Sequence, residues 1–344
     1  MTKAIFCFSI LSILIFAQEN SLKISYTSLK DGVNKDFVVT ALGELTYRKS
    51  FLEHNLDILA GVTGSYSLNQ NTTPTFFSSI DQQHLLIDKL SADLYMGYHD
   101  MVSVGREKMQ LNLLNGSFDG LLWSHQSGNL SVKTYYFRHY AYLTETLYEN
   151  KHIENLKGIT INYAYGDFDS ELTYFHENNT HRSDLYIGFI HKPFKLGLEH
   201  LQLLSSSLPN ERAYKLHTGV RYRHLYLETG YIDVYNGALD KIYTFGGSEF
   251  NTFGLTGFLN RQNAKQHYIN LIYNARPLYT KIHLGKTDYD VGAFSYIGKE
   301  AGVIFGYRFE PFRFTLELLT QKSNQAGFFG ARASWVHTNL EYKF

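Results

Sequence analysis

The sequence has a single cysteine, five prolines and no excess of either charge. Its 32 lysines and arginines are matched by 32 aspartates and glutamates, which argues against a nucleic-acid-binding surface and against an acidic solvating tail. One cysteine excludes a disulfide within the chain. Beyond residue 17 there is no apolar run long enough to form a membrane helix. What is abundant instead is aromatic residues, with 27 tyrosines and 25 phenylalanines among 344 residues.

The first seventeen residues differ in character from the rest. Lys3 gives a positive start, residues 4–16 are almost wholly apolar, and Ala17 is a small residue before a polar stretch. This order is typical of a secretory signal peptide. We therefore expect residues 1–17 to be a signal peptide cleaved after Ala17, and residues 18–344 to be the exported protein. The alternative, a membrane anchor, is disfavoured because the apolar run is shorter than the ~20 residues that a bilayer requires.

The exported part shows two-residue alternation of apolar and polar residues. At the C-terminal end, Val336, Thr338, Leu340 and Tyr342 alternate with polar residues, and the same pattern recurs in residues 312–318, 278–284 and 216–222. Such segments are β-strands with one apolar and one polar face. Two folds accommodate such strands. In a soluble sandwich the apolar faces lie inside, and in a membrane barrel they face lipid.

Strand count and connection lengths favour the barrel. We predict about eighteen strands, with sixteen as the alternative, and most are near the ~9–11 residues that cross a bilayer at a tilt. Tight connections, such as Lys192-Pro193 and Glu310-Pro311, alternate with longer ones. The predicted long loops are 68–89, 141–156, 204–211, 234–263, 287–296 and 322–332. The predicted fold is thus an all-β, transmembrane, antiparallel β-barrel.

Motifs for chemistry are missing from the sequence. There is no Gly-x-Ser-x-Gly element and no nucleophile, base and orienting group in a recognisable arrangement, so we do not expect an enzyme. The fifteen histidines are scattered and lack the ligand spacing of a closed metal site. We expect no metal, no cofactor and no nucleic-acid partner.

Several segments resemble the Opr (OprD-like) porins of bacterial outer membranes. These are residues 41–47, Val104-Gly105-Arg106-Glu107, Ser117-Phe118-Asp119-Gly120 and the closing 340–344. The resemblance implies an eighteen-stranded channel for small hydrophilic solutes, surrounded by outer-membrane lipid and lipopolysaccharide. It also implies that the barrel-assembly machinery reads the terminal Phe344. Whether protomers form a homotrimer is left open, and a surface adhesin on a barrel without transport is the alternative function.

The segment around Arg106 is the predicted constriction. Strict alternation places Arg106 on the face of Val102 and Val104, towards lipid, where a charge is unfavourable. Either the strand bulges at Gly105 or the chain turns inward there. In the resembled family this region leads into a loop that folds inward and narrows the pore. We therefore expect Arg106, Asp119 and residues 108–116 to form the constriction.

Four further bases are predicted to line the pore, namely Lys133, Arg221, Lys281 and Arg313. All four fall on the polar side of their strands. One hypothesis is that they draw small anions or carboxylates through the channel, as the resemblance to OprD-like channels implies. The alternative is that each base pairs with an acid on a neighbouring strand.

Overall fold

The computed structural model describes residues 19–31, 34–71, 84–111, 113–143, 148–206, 210–237, 258–325 and 332–343. Within these ranges the chain is almost entirely β-strand, apart from turns and a short 3-10 segment, Leu52–His54. No helix in these ranges is long and apolar enough to cross a membrane. The predicted signal peptide lies outside the described residues and stays a prediction.

The described residues form eighteen strands, long enough to cross a bilayer at a tilt. In chain order they are β1 (Glu19–Asp31), β2 (Asn34–Phe51), β3 (Leu56–Asn71), β4 (His84–Met96), β5 (Asp100–Gln110), β6 (Asn115–Ser127), β7 (Leu130–Leu143), β8 (Tyr148–Tyr165), β9 (Phe168–Glu177), β10 (Thr180–His191), β11 (Phe194–Ser205), β12 (Glu211–Tyr222), β13 (Leu225–Tyr235), β14 (Gln262–Ala275), β15 (Leu278–Val291), β16 (Phe294–Phe309), β17 (Phe312–Ser323) and β18 (Arg332–Lys343).

The sheet is closed. Each strand is antiparallel to its neighbours in the chain, and β1 also pairs with β18, from Ser21 opposite Lys343 to Asp31 opposite Ala333. Because the first and last described strands pair with each other, the sheet has no open side towards the hydrocarbon, which could not solvate unpaired N–H and C=O groups. The predicted antiparallel barrel is confirmed, with eighteen strands rather than sixteen.

The two faces of the wall have opposite polarity. On β11 and β12, the side chains of Leu196, Leu198 and Leu216 are 50%, 46% and 49% exposed, whereas Glu199 and Lys215 are 3% and 8% exposed. The polar residues are buried because they line the inside of the cylinder, and the apolar residues are exposed because they point away from it. A soluble protein would show the reverse arrangement. The alternation in the sequence therefore gives a polar lumen and a lipid-compatible exterior.

The rim that holds both ends of the barrel chain has short connections, as predicted. We call it the turn rim, and the opposite end of the barrel is the loop rim. The turn-rim connections are residues 52–55, 97–99, 128–129, 166–167, 192–193, 223–224, 276–277 and 310–311. Exposed aromatic side chains lie beside these turns, among them Tyr165, Phe194 and Tyr222, consistent with an interfacial girdle.

All six predicted long loops on the loop rim are shorter than expected, because the strands on either side extend further. The loop predicted at 287–296 is a turn at 292–293, because β15 continues to Val291 and β16 begins at Phe294. Similarly, 141–156 shortens to 144–147, and 204–211 to 206–210. The backbone pairing continues past the apolar part of each strand, where polar residues on both faces no longer give an alternating signal.

Candidate constriction of the barrel lumen

The β5–β6 hairpin leaves the barrel wall on its β4 side. Pairing between β4 and β5 ends at Leu90 opposite Arg106, although β5 and β6 stay paired as far as Gln110 opposite Asn115. Strand β4 also contacts β7, so the wall closes behind the departing hairpin. We call residues 107–118 the inner hairpin.

The end of the inner hairpin packs inside the barrel. Met109, Leu113, Leu114 and Phe118 are between 0% and 4% exposed. They belong to one apolar cluster that also holds inward-facing residues of distant strands, including Leu201, Ile232, Tyr268 and Tyr289. Phe118 packs directly against Phe137 and Tyr140 of β7, with ring centroids 5.0 and 5.1 Å apart, so the hairpin end lies against the inner surface of the wall. The inner hairpin therefore narrows the lumen near the loop rim.

Arg106 lies where the hairpin turns inward. Its guanidinium group donates to both carboxylate oxygens of Asp119, with Nη2 at 2.6 Å from Oδ2. Its Nη1 donates to the carbonyl oxygen of Ile87 at 2.8 Å, on the part of β4 that β5 no longer pairs with. His139 Nδ1 is 3.4 Å from Asp119 Oδ2. Arg106 thus replaces a lost strand contact, and its charge is neutralised by Asp119 at the hairpin base.

A second ion pair fastens the inner hairpin to the wall. Lys108 Nζ is 2.7 Å from Glu44 Oε1 on β2 and 3.7 Å from Asp88 Oδ2 on β4. Beside it, Lys89 Nζ is 3.6 Å from Glu107 Oε2. These contacts connect the hairpin to two strands from which its backbone is separated.

Acidic and basic side chains lie close together on β2 to β5, from the turn-rim end of these strands to the base of the inner hairpin. The acids are Glu44, Asp57, Asp88, Asp93 and Glu107, and the bases, besides Arg106, are Arg48, Lys89 and Lys108. Asp57 and Asp93 lie directly opposite one another, 1% and 6% exposed. Asp88 and Lys89 were missed because a bulge in the β3–β4 pairing interrupts the alternation there.

The other predicted pore-lining bases occupy a different level of the lumen. Lys133, Arg221, Lys281 and Arg313 all fall on the inward face, within four residues of the turn-rim end of β7, β12, β15 and β17. Lys133, for example, lies opposite Thr160, which is fully buried. The structure therefore does not bring these four bases together with Arg106 and Asp119.

Several polar side chains of the lumen wall contact one another rather than the open lumen. His283 Nδ1 is 2.8 Å from Asn270 Oδ1, and His283 Nε2 is 2.9 Å from Glu300 Oε1. Gln266 Nε2 also donates to Glu300 Oε1 at 2.7 Å. The side chains of His283 and Glu300 are fully buried. Lys215 Nζ lies 3.9 Å from Glu199 Oε2 on the adjacent strand. This is a base paired with an acid across neighbouring strands, the alternative to a row of bases that attracts anions.

Comparison with known proteins identifies the fold. No protein-family model matches the chain, and no curated protein does. Among solved structures, Acinetobacter baumannii OccAB1 matches with a TM-score of 0.82 at 10% identity, covering 96% of this chain and 97% of that one. Acinetobacter baumannii OccAB4 and Pseudomonas aeruginosa OccK8 (OprE) each give a TM-score of 0.77, at 14% and 11% identity, covering 95% of this chain and 97% of theirs. The chain therefore has the eighteen-stranded fold of the OprD-like outer-membrane channels.

Proposed function

We propose that this protein is a porin of the bacterial outer membrane, through which small hydrophilic solutes diffuse passively. The observation that carries the proposal is a closed barrel with an apolar exterior and a polar lumen, narrowed by the inner hairpin. An apolar exterior requires surrounding lipid, and a polar lumen replaces part of a solute's hydration shell. The fold shared with the OccAB and OccK structures supports this function. We propose no enzymatic activity.

The orientation of the barrel is part of the proposal. The turn rim, with both strand termini, faces the periplasm, and the loop rim faces outward into the lipopolysaccharide leaflet. The terminal Phe344, proposed as the residue read by the barrel-assembly machinery, lies outside the described residues.

Single-channel recording in planar bilayers tests transport. The purified protein is expected to give discrete conductance steps, whereas an adhesin on a filled barrel gives none. A variant in which residues 109–116 are replaced by a short Gly-Ser turn should give larger steps, because the lumen loses its apolar obstruction. Equal conductance of this variant and the wild type, both correctly folded, would rule out the inner hairpin as the constriction.

We further propose that small anions or carboxylates are favoured at the turn rim. Arg221 and Arg313 are exposed on the inward face there, each two residues from a short turn. Neutralising both, as Arg221→Gln with Arg313→Gln, should shift the reversal potential in a salt gradient towards cation preference. Clear cation preference of the wild type would contradict this proposal and leave passive transport intact.

A further inference from the structure

Four cationic residues lie side by side on the outside of the barrel. In the strand register, Lys286 on β15 is opposite Lys299 on β16, Lys299 is opposite Lys322 on β17, and Lys322 is opposite Arg332 on β18. All four are exposed. We call them the cationic row. With strands about 4.8 Å apart, the row is about 14 Å long.

The row lies near the loop-rim end of the apolar exterior on these four strands, with the outward Ile297 of β16 one step beyond Lys299. On β15 the outward residues run Leu278, Thr280, Ile282 and Leu284 before Lys286, and on β16 Ala301 and Val303 follow Lys299. The same change occurs at Lys322 and Arg332 on the next two strands. Each cation lies on the loop-rim side of the apolar residues. The row is therefore at the boundary between hydrocarbon and head groups.

A shallow apolar depression adjoins the row. Directly beneath the cations is a second register row of mostly small residues, Leu284, Ala301, Thr320 and Ser334. Together with Val303 and Val336 they line a depression of about 390 Å³ on the outer surface. The wall is therefore recessed where the four strands pass beneath the cations.

Like charges directly opposite one another destabilise a sheet unless a counter-charge is present. Asp288 supplies one, at 3.5 Å from Lys286 Nζ. Among the described residues, Asp288 is the carboxylate paired with the row, and it lies at one end, so a positive surplus remains over β16 to β18. A ligand with more than one negative group would match that surplus, and an apolar tail would match the depression.

We propose that the cationic row and the depression bind a phosphorylated, multiply acylated lipid of the outer leaflet, of the lipid A type. Its phosphates contact Lys299, Lys322 and Arg332, and one acyl chain lies against Ala301 and Ser334. This inference rests on the proposed function, because it requires the loop rim to face the outer leaflet.

The test measures binding of purified, fluorescently labelled protein in detergent to bisphosphorylated lipid A. Wild-type protein should bind it more tightly than monophosphorylated lipid A, and phosphatidylethanolamine should not compete. Substituting both Lys299→Gln and Lys322→Gln should weaken binding about 30-fold, since each basic residue near an anionic lipid surface contributes about a factor of five. Ala301→Phe, which fills the depression, should weaken lipid binding while the cations remain.

The matched control is Lys192→Gln with Arg223→Gln, which removes the same charge from exposed positions at the turn rim. It should bind lipid A as the wild type does. If both double variants weakened binding equally, the effect would come from net charge alone and the proposal would be overturned. Unchanged binding by the Lys299→Gln and Lys322→Gln variant would also overturn it. Displacement of lipid A by an equal concentration of inorganic phosphate would show that no lipid is selected and would also overturn it.

Conductance separates this inference from the porin proposal. The cationic row faces outward, so the Lys299→Gln and Lys322→Gln variant should conduct as the wild type does. A barrel that binds lipid A selectively but does not conduct would refute the porin and support the lipid site. A conducting barrel whose lipid binding ignores these substitutions would refute only the lipid site.

Discussion

Gly105 of β5 lies directly opposite Gly120 of β6, at the point where the hairpin leaves the wall. A Cβ on Gly105 would be 2.2 Å from the carbonyl oxygen of Leu90, and a Cβ on Gly120 would be 1.9 Å from that of Tyr136. Gly105 also has a φ of 122°, which side chains with a Cβ rarely adopt. This glycine pair therefore allows close backbone contacts where β5 separates from β4, and where β6 stays paired with β7 through a bulge at Asp119 and Gly120.

Replacing the second of these glycines should weaken the fold. Gly120→Ala forces a backbone contact to open, and we expect a loss of about 1–3 kcal/mol in the free energy of unfolding. Urea unfolding in lipid vesicles measures it. Gly43→Ala is the control, because a Cβ there meets nothing within 4 Å. Equal stability of the two variants would contradict the close packing at the hairpin base.

The charge of Lys108 should influence ion selectivity. Lys108→Met removes the cation that lies between Glu44 and Asp88, and leaves both carboxylates facing the lumen. A unit charge 4–8 Å from a permeating ion is worth about 0.5–1 kcal/mol in water, with opposite sign for a cation and an anion, so the cation-to-anion permeability ratio should rise roughly 5- to 30-fold. Reversal potentials in a salt gradient report the ratio. Lys192→Met, outside the lumen at the turn rim, should leave it unchanged, and an equal shift in both variants would refute a local effect.

Arg106 and Asp119 should be energetically coupled. In a double-mutant cycle with Arg106→Ala and Asp119→Ala, we expect a coupling of about 1–2 kcal/mol, since both groups are only partly exposed and the pair is doubly hydrogen-bonded. The single Arg106→Ala variant should be the less stable of the two, because it also leaves the Ile87 carbonyl without its donor. A coupling below about 0.5 kcal/mol would mean that the two residues act independently.

Where each strand crosses the membrane, the sequence predicts well both the number of strands and which side chains point to the lumen or to lipid. At residues 336–342 the apolar and polar residues alternate without interruption, because one face contacts lipid and the other the lumen. Beyond the hydrocarbon this contrast ends, so the sequence predicts a loop at Asp288 and Asp290 although the backbone of both residues pairs with β16.

The arrangement of the constriction could be predicted only in part. The charge of Arg106 on an otherwise apolar face indicates an unusual local path, and the structure shows one. The pairing of Arg106 with Asp119 depends on the register between β5 and β6, which cannot be read from the local sequence of either strand. Met109 and Leu114 are apolar and would suit lipid equally well, so nothing in their local sequence distinguishes a lumen cluster from the barrel exterior.

Adjacent residues of β18 offer the most direct test of inside and outside. Asn339 lies opposite Ser25, which is 1% exposed on the lumen side, whereas Leu340 is 41% exposed on the outer face. The predicted signal peptide contains the only cysteine, so Asn339→Cys and Leu340→Cys each introduce a unique thiol into the exported chain. In lipid vesicles a charged thiol reagent should modify the first more than about tenfold faster, because a charge in hydrocarbon costs about 2.5 kcal/mol or more. Spin labels should show the complementary result, with Leu340→Cys relaxed by oxygen dissolved in the acyl chains and Asn339→Cys by a water-soluble nickel complex. The reverse pattern would place the apolar faces of the strands inside the protein and refute the membrane barrel.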